Sequence, residues 1–292
     1  MTEPAETYDH AGKPVKHGRA RVNGIRLYYI TAGQGPALLL LHGTPKNSFY
    51  WYKLFPLLTE HFTLVAPDLR GFGYTDKPPA TEGYNSAENA KDVTELMTQL
   101  GHETFYLHGE DRGADYAVAV AGLYRDRVLK LSFCEMVPSG LGLEETSFWT
   151  PENVTRQFRK EGIWCWHLGF FWIPHVPEML IAGHEREFWE MFIKQECYNP
   201  TKIEPHALSH WIESGFKNGE INQEIAKNKL TLPIMTIGAP EFFGPQVEES
   251  ILRMAEKVER SEIFEECGHS LALEAEDRLA TLLRSFMLGT KD

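Results

Sequence analysis

Four consecutive leucines in "PALLLLHG", Pro36 to Gly43, make an apolar run that stops at a histidine-glycine turn. A run this short, with no polar alternation, fits a strand covered on both faces of a parallel sheet. The same pattern recurs in "FTLVAPDLRGFG" from Phe62, in "TFYLHGED", in "VLKLSFCEMVP" and in "LPIMTIGAPEFFGP", and "SEIFEECGHS" closes the series. Helical text separates these runs. "SAENAKDVTELMTQLG" has Ser86 as its expected cap and Gly101 as its stop, and "DRGADYAVAVAGLY" and "AEDRLATLLRSFML" follow. Strand alternating with helix specifies an α/β fold, a mostly parallel central sheet with helices on both faces. Ahead of it, "ARVNGIRLYYITAG" from Ala20 reads as two antiparallel strands hinged at Asn23-Gly24.

The alternation breaks once, from about Ser139 to Lys229. This interval is helical in character, and five of the seven tryptophans fall between Trp149 and Trp189. Aromatic helical text is ordinarily plain packing. Its insertion between two sheet strands points instead to a lid, because ligands bind such sheets at the carboxyl ends of the strands. The expected organisation is a core over residues 1–138, a helical lid over 139–229 and the rest of the core over 230–292. The polar start, roughly Met1 to Pro14, is expected to be disordered.

A net charge of −12 argues against a nucleic-acid partner, whose phosphates reward basic faces. Cys134, Cys165, Cys197 and Cys267 have no metal-ligand spacing and read as thiols in a reducing compartment. No leader opens the chain, and no apolar run approaches the ~20 residues a membrane span needs. The expectation is a soluble, cytoplasmic protein with no membrane partner, and the sequence admits a homodimer. No G-x-G-x-x-G follows a strand into a helix, and the histidines do not cluster as ligands, so neither cofactor nor metal is expected.

The chemistry concentrates at Gly109-Glu110-Asp111-Arg112-Gly113, which has the form of a strand-to-helix elbow with an acid at its tip. The flanking glycines make room where neighbouring Cβ atoms would collide. By itself such a stretch is as readily an acidic helix cap. Other stretches strengthen the reading. "HGTP", His42 to Pro45, ends the leucine strand; "ECGHSLALE" puts His269 on a loop after the last strand; and Glu135 and Glu241 stand at strand ends where an orienting carboxylate belongs.

In these motifs, in this order, the chain resembles the α/β-hydrolase family, in the branch with soluble epoxide hydrolases and haloacetate dehalogenases. The resemblance runs from about Lys16 to Met287. It implies an α/β-hydrolase fold with a helical lid, Asp111 as nucleophile, and an alkyl-enzyme ester released by water that His269 activates. It also implies an oxyanion hole from the backbone N–H groups of Thr44 and Arg112. The acid behind His269 would be Glu135 in one branch of the family and Glu241 in the commoner arrangement; Glu135 is the expectation here. An aspartate nucleophile suits sp³ carbon, where the ester can be broken at its own carbonyl.

Two positions bear on the substrate. Fluoroacetate-type enzymes carry a second arginine after D-R-G, where this chain has Asp115, expected to repel an anion. Their lid offers a His-Trp pair, whereas here His167 precedes Leu168. A lone histidine resembles atypical epoxide hydrolases, in which it donates to the epoxide oxygen. The expected substrate is therefore a small apolar or aromatic epoxide. The family's lid tyrosine has no counterpart in "HALSHWIESGFKNGEINQEIAKNKL", and His210 or Tyr198 are the candidate substitutes. Losing one donor of two would cost about 10²-fold in rate. The alternatives are a haloacetate or haloalkane dehalogenase with the same nucleophile, and a ligand-binding member of the fold without turnover.

Overall fold

Asn23 and Gly24 take positive φ angles of 42° and 82°, the backbone a two-residue hairpin turn requires. They join β1 (Lys16–Val22) to β2 (Ile25–Ala32), with Val22 opposite Ile25. A computed structural model describes residues 6–78, 83–143, 166–171, 173, 176–202, 227–240 and 242–290. Six further strands follow: β3 (Ala37–Leu41), β4 (Thr63–Pro67), β5 (Phe105–Glu110), β6 (Val128–Cys134), β7 (Ile234–Gly238) and β8 (Arg260–Ile263). They form one sheet in the order β1-β2-β4-β3-β5-β6-β7-β8. From β3 onward every pairing between these strands is parallel; β1 and β2 are antiparallel.

The helices are α1 (Phe55–Leu58), α2 (Ser86–Gln99), α3 (Arg112–Leu123), α4 (Trp166–Phe170), α5 (Val176–Ile181), α6 (Glu185–Gln195), α7 (Gln246–Ile251), α8 (Leu271–Glu274) and α9 (Glu276–Leu288). The leucine run explains how they cover the sheet. Leu39 and Leu41 point into a core shared with Val93 and Met97 of α2 and Ala117 of α3. Leu38 and Leu40 point the other way, into a core shared with Leu279 and Leu283 of α9. Successive residues of a strand face opposite sides, so a run apolar at every position belongs between two layers.

Two expectations need correction. The cap of α2 is Asn85, whose side chain accepts from the Glu88 N–H at 2.9 Å, and Ser86 is the first helical residue. Asn85 has the extended backbone just outside the helix that lets a side chain turn back to the third amide. The polar start is also ordered over residues 6–14: Tyr8 bridges to Pro14, and Asp9 accepts from the backbone N–H of Ala11 and Lys13. Gly101, at φ 83°, ends α2 as expected.

Between β6 and β7 the described residues form α4, α5 and α6. Rings join α4 to α6: Trp166 lies 6.3 Å from Phe192 and His167 lies 4.8 Å from it, edge to face. Cys134, Cys197 and Cys267 are free and buried, and Cys165 lies outside the described residues. Among the described residues no helix is long and apolar enough to cross a membrane.

Candidate active site

Strand β5 gives way to α3 at a single residue, Asp111, which holds φ 57° and ψ −134°. A non-glycine residue in this region is strained and persists only where its surroundings hold it. Three glycines show how tight the bend is. A Cβ on Gly109 would lie 2.4 Å from the Gly113 carbonyl oxygen, one on Gly113 would lie 2.0 Å from that of Leu41, and one on Gly43 would strike Asp111 Cβ at 2.3 Å. The elbow motif is thus a packing requirement among β3, β5 and α3.

The carboxylate uses its two oxygens differently. Oδ1 accepts the backbone N–H of Thr44 at 3.0 Å and that of Arg112 at 2.5 Å, the two donors expected from the sequence. Oδ2 lies 2.6 Å from His269 Nε2, whose other nitrogen, Nδ1, lies 3.0 Å from Glu135 Oε2. Glu135 is fully buried, sits just past β6 at φ 45°, and accepts the Ala239 N–H at 2.6 Å through Oε1. The structure therefore pairs His269 with Glu135, while Glu241 lies outside the described residues. His42, first residue of "HGTP", braces this wall. Its Nδ1–H donates to the Gly43 carbonyl at 2.9 Å and Nε2 accepts from Leu69 N at 3.1 Å; burial depresses its pKa to about 4.

Burial works against charge at both Asp111 and His269, yet their mutual contact wins. Hydrogen bonding and attraction to His269 hold the Asp111 carboxyl well below its ordinary range. The bonds to Asp111 and Glu135 carry the His269 imidazolium well above its own. The resting arrangement is an ion pair.

The Arg112 guanidinium turns away from the carboxylate. Its Nη1 reaches Asp115 Oδ2 at 3.3 Å and Ser139 Oγ at 2.8 Å, with both ionic partners buried. This corrects the expectation for Asp115: its charge is balanced by Arg112, three residues back on the same helix, and does not stand alone against an anion.

His167 lies on α4 among rings, beside Phe192 and Phe171. Phe192 and Glu196 are four apart at the end of α6 and so share a helix face, which puts His167 along the face that ends at Glu196. Tyr198 is 43% exposed and His210 lies outside the described residues.

Three polar residues at the site carried no sequence signal. Glu110 is buried, accepts from the Tyr50 hydroxyl and from Leu271 N (3.1 Å), and is raised by burial to about 7. Lys46 is buried with its Nζ 4.5 Å from the Tyr50 ring centroid. Glu196 is 3% exposed, and one oxygen of its carboxyl lies with one oxygen of Asp111 and one nitrogen of His269 inside 4.8 Å of each other. These last three have the spacing of metal ligands, but Oδ2 of Asp111 and Nε2 of His269 are already bonded to each other.

The chain matches the model of the alpha/beta hydrolase fold family over residues 36–162. It is 30% identical over 274 residues to a soluble epoxide hydrolase from Corynebacterium sp. (strain C12), covering 87% of this chain and 91% of that protein. It is 34% identical over 172 residues to a fluoroacetate dehalogenase from Burkholderia sp., covering 58% of this chain and 53% of the relative. Among solved structures, the ligand-free epoxide hydrolase CorEH superposes with a TM-score of 0.81 at 27% identity, over 95% of this chain and 100% of that one. The chain belongs to the alpha/beta hydrolase family.

Proposed function

We propose that the protein is an epoxide hydrolase that opens a small apolar or aromatic epoxide to a vicinal diol through an ester on Asp111. The observation that carries this reading is the division of the Asp111 carboxylate, one oxygen on two backbone N–H groups and the other toward His269. Attack by Oδ2 on an epoxide carbon leaves Oδ1 as the ester carbonyl oxygen, already seated on the donors that stabilise negative charge when water adds. Esterification also removes the anion that kept His269 protonated. The imidazole then loses its proton and serves as base toward water, held in place by Glu135.

The lid of this reading is the segment between β6 and β7, and His167 is its donor to the epoxide oxygen. Epoxide is preferred to haloacid because the Arg112 guanidinium is engaged by Asp115 and Ser139 and no second arginine follows. A relative that covers 87% of this chain is itself named a soluble epoxide hydrolase. Steady-state assays on styrene oxide and fluoroacetate test this. Diol without fluoride is the expected result; fluoride without diol favours the dehalogenase reading. No turnover and no adduct across a broad epoxide panel leaves a binding protein.

A further inference from the structure

Opening an epoxide leaves an alkoxide that must take up a proton. His167, in the reading above, polarises that oxygen by a hydrogen bond, a role that transfers no proton, and the imidazolium of His269 is committed on both nitrogens, to Asp111 and to Glu135. Glu196 is differently placed. It follows the last turn of α6, it is buried, and its Oε2 has no hydrogen-bond partner among the described residues. Its carboxyl stands inside 4.8 Å of both Asp111 and His269. Two carboxyls this close to each other, out of water, do not both ionise readily, and the one without hydrogen bonds keeps its proton.

We infer that Glu196, as a neutral carboxylic acid, protonates the oxygen released when Asp111 opens the epoxide. The inference rests on the reading of Asp111 as a nucleophile toward epoxides. Glu196 is held where this needs it. Its carbonyl accepts the His269 backbone N–H at 3.0 Å, and the next residues are tied by Glu274, which accepts from Asn199 N at 2.9 Å and Tyr198 N at 3.3 Å. Burial raises the Glu196 pKa to about 7 against the attraction of His269 and Lys46, while Asp111 and Glu110 oppose its ionisation.

The protons balance. In ring opening the Asp111 Oδ2–carbon bond forms, the carbon–oxygen bond breaks and the Glu196 proton goes to the new hydroxyl. The resulting Glu196 carboxylate takes the proton that His269 no longer retains beside a neutral ester, through one water across the gap. Neutral His269 then accepts a proton from the attacking water as hydroxide adds to Asp111 Cγ. Collapse expels the diol oxygen, which takes that proton back. Asp111, left as an acid, returns its proton to His269, so that one water and one epoxide give one diol.

The test is rapid-quench single turnover of the full chain with styrene oxide, following the ester by intact mass, for wild type and Glu196→Gln. The expected result is ester formation slowed by about 10²-fold in the variant. In wild type this step falls as pH rises through about 7, and in Glu196→Gln it does not. A variant that forms ester at the wild-type rate, or keeps the wild-type pH profile, overturns the inference while leaving Asp111 chemistry intact. Wild type that forms no epoxide ester sinks the parent reading and this inference together. If the variant does not fold, infrared spectra of the Glu110→Gln protein labelled with ¹³C-glutamate decide, because Glu110 titrates in the same range and must be removed from the spectrum. A buried carboxylic-acid band that titrates near neutrality is expected, and its absence overturns the assignment.

Discussion

In the reaction proposed above, Asp111 does two jobs that a serine at the same bend could not combine: its Oδ2 is alkylated while its Oδ1 stays on the Thr44 and Arg112 amides. The two halves of the reaction therefore depend on different neighbours and can be separated by substitution. His269→Gln removes the base and leaves the nucleophile, so ester should build up to about one per protein, read as an intact-mass increase equal to the epoxide. Asp111→Asn should form no adduct and lose at least about 10³-fold in turnover. Glu135→Gln keeps the shape but withdraws the charge behind His269 Nδ1. Turnover should fall by about 10²- to 10⁴-fold, with hydrolysis of the ester slowed more than its formation. Equal slowing of both steps would mean that Glu135 only supports the fold.

At the level of elements, the loop that carries His269 and the end of α6 are strapped together by one side chain. Glu274 of α8 accepts the backbone N–H groups of Gly268, Tyr198 and Asn199 at 3.1, 3.3 and 2.9 Å. Glu274→Ala strands these donors, each of which costs about 1 kcal/mol or more where water cannot reach it. Thermal unfolding should show a loss of roughly 3 kcal/mol, with turnover falling further than stability because His269 and Glu196 lose their common anchor. Gly113→Ala should be worse, since its Cβ would meet Leu41 O at 2.0 Å and neither backbone can yield. These straps mark where sequence reading stops. The strands were legible because burial on both faces leaves an uninterrupted apolar run, and the elbow because steric crowding demands glycine. Asn85 and Ser86 are both good caps, and only backbone geometry chose between them. Glu135 and Glu241 both follow a strand, and which one meets His269 depends on the turn that β6 makes. Glu196 sits in "KQECYNP", where an acid at a helix end reads as a solvated residue; its burial comes from elements over seventy residues away.

For the molecule as a whole, buried acids at the site and on α2 set an unusual dependence of stability on pH. Burial lifts Glu110 and Glu196 to about 7 and Asp92 to about 6. For an acid raised in the folded state, stability is complete below its unfolded value and is lost as pH climbs through the folded one. These groups therefore weaken the fold between roughly pH 4.5 and 7. His42 and His108 are pushed down by burial to about 4 and 3 and act in the opposite sense, weakening it as pH falls from the ordinary histidine value through those. The net charge of −12 adds repulsion at the alkaline end. A difference measurement isolates one group. Glu110→Gln keeps an acceptor for Leu271 N and cannot ionise, so its melting temperature relative to wild type should climb between pH 4.5 and 7 and level off above. Each pKa unit is worth about 1.4 kcal/mol, so the full gain is of the order of 3 kcal/mol, several degrees in a protein of this size. A difference independent of pH would mean that Glu110 is ionised throughout, with Lys46 as its counter-charge.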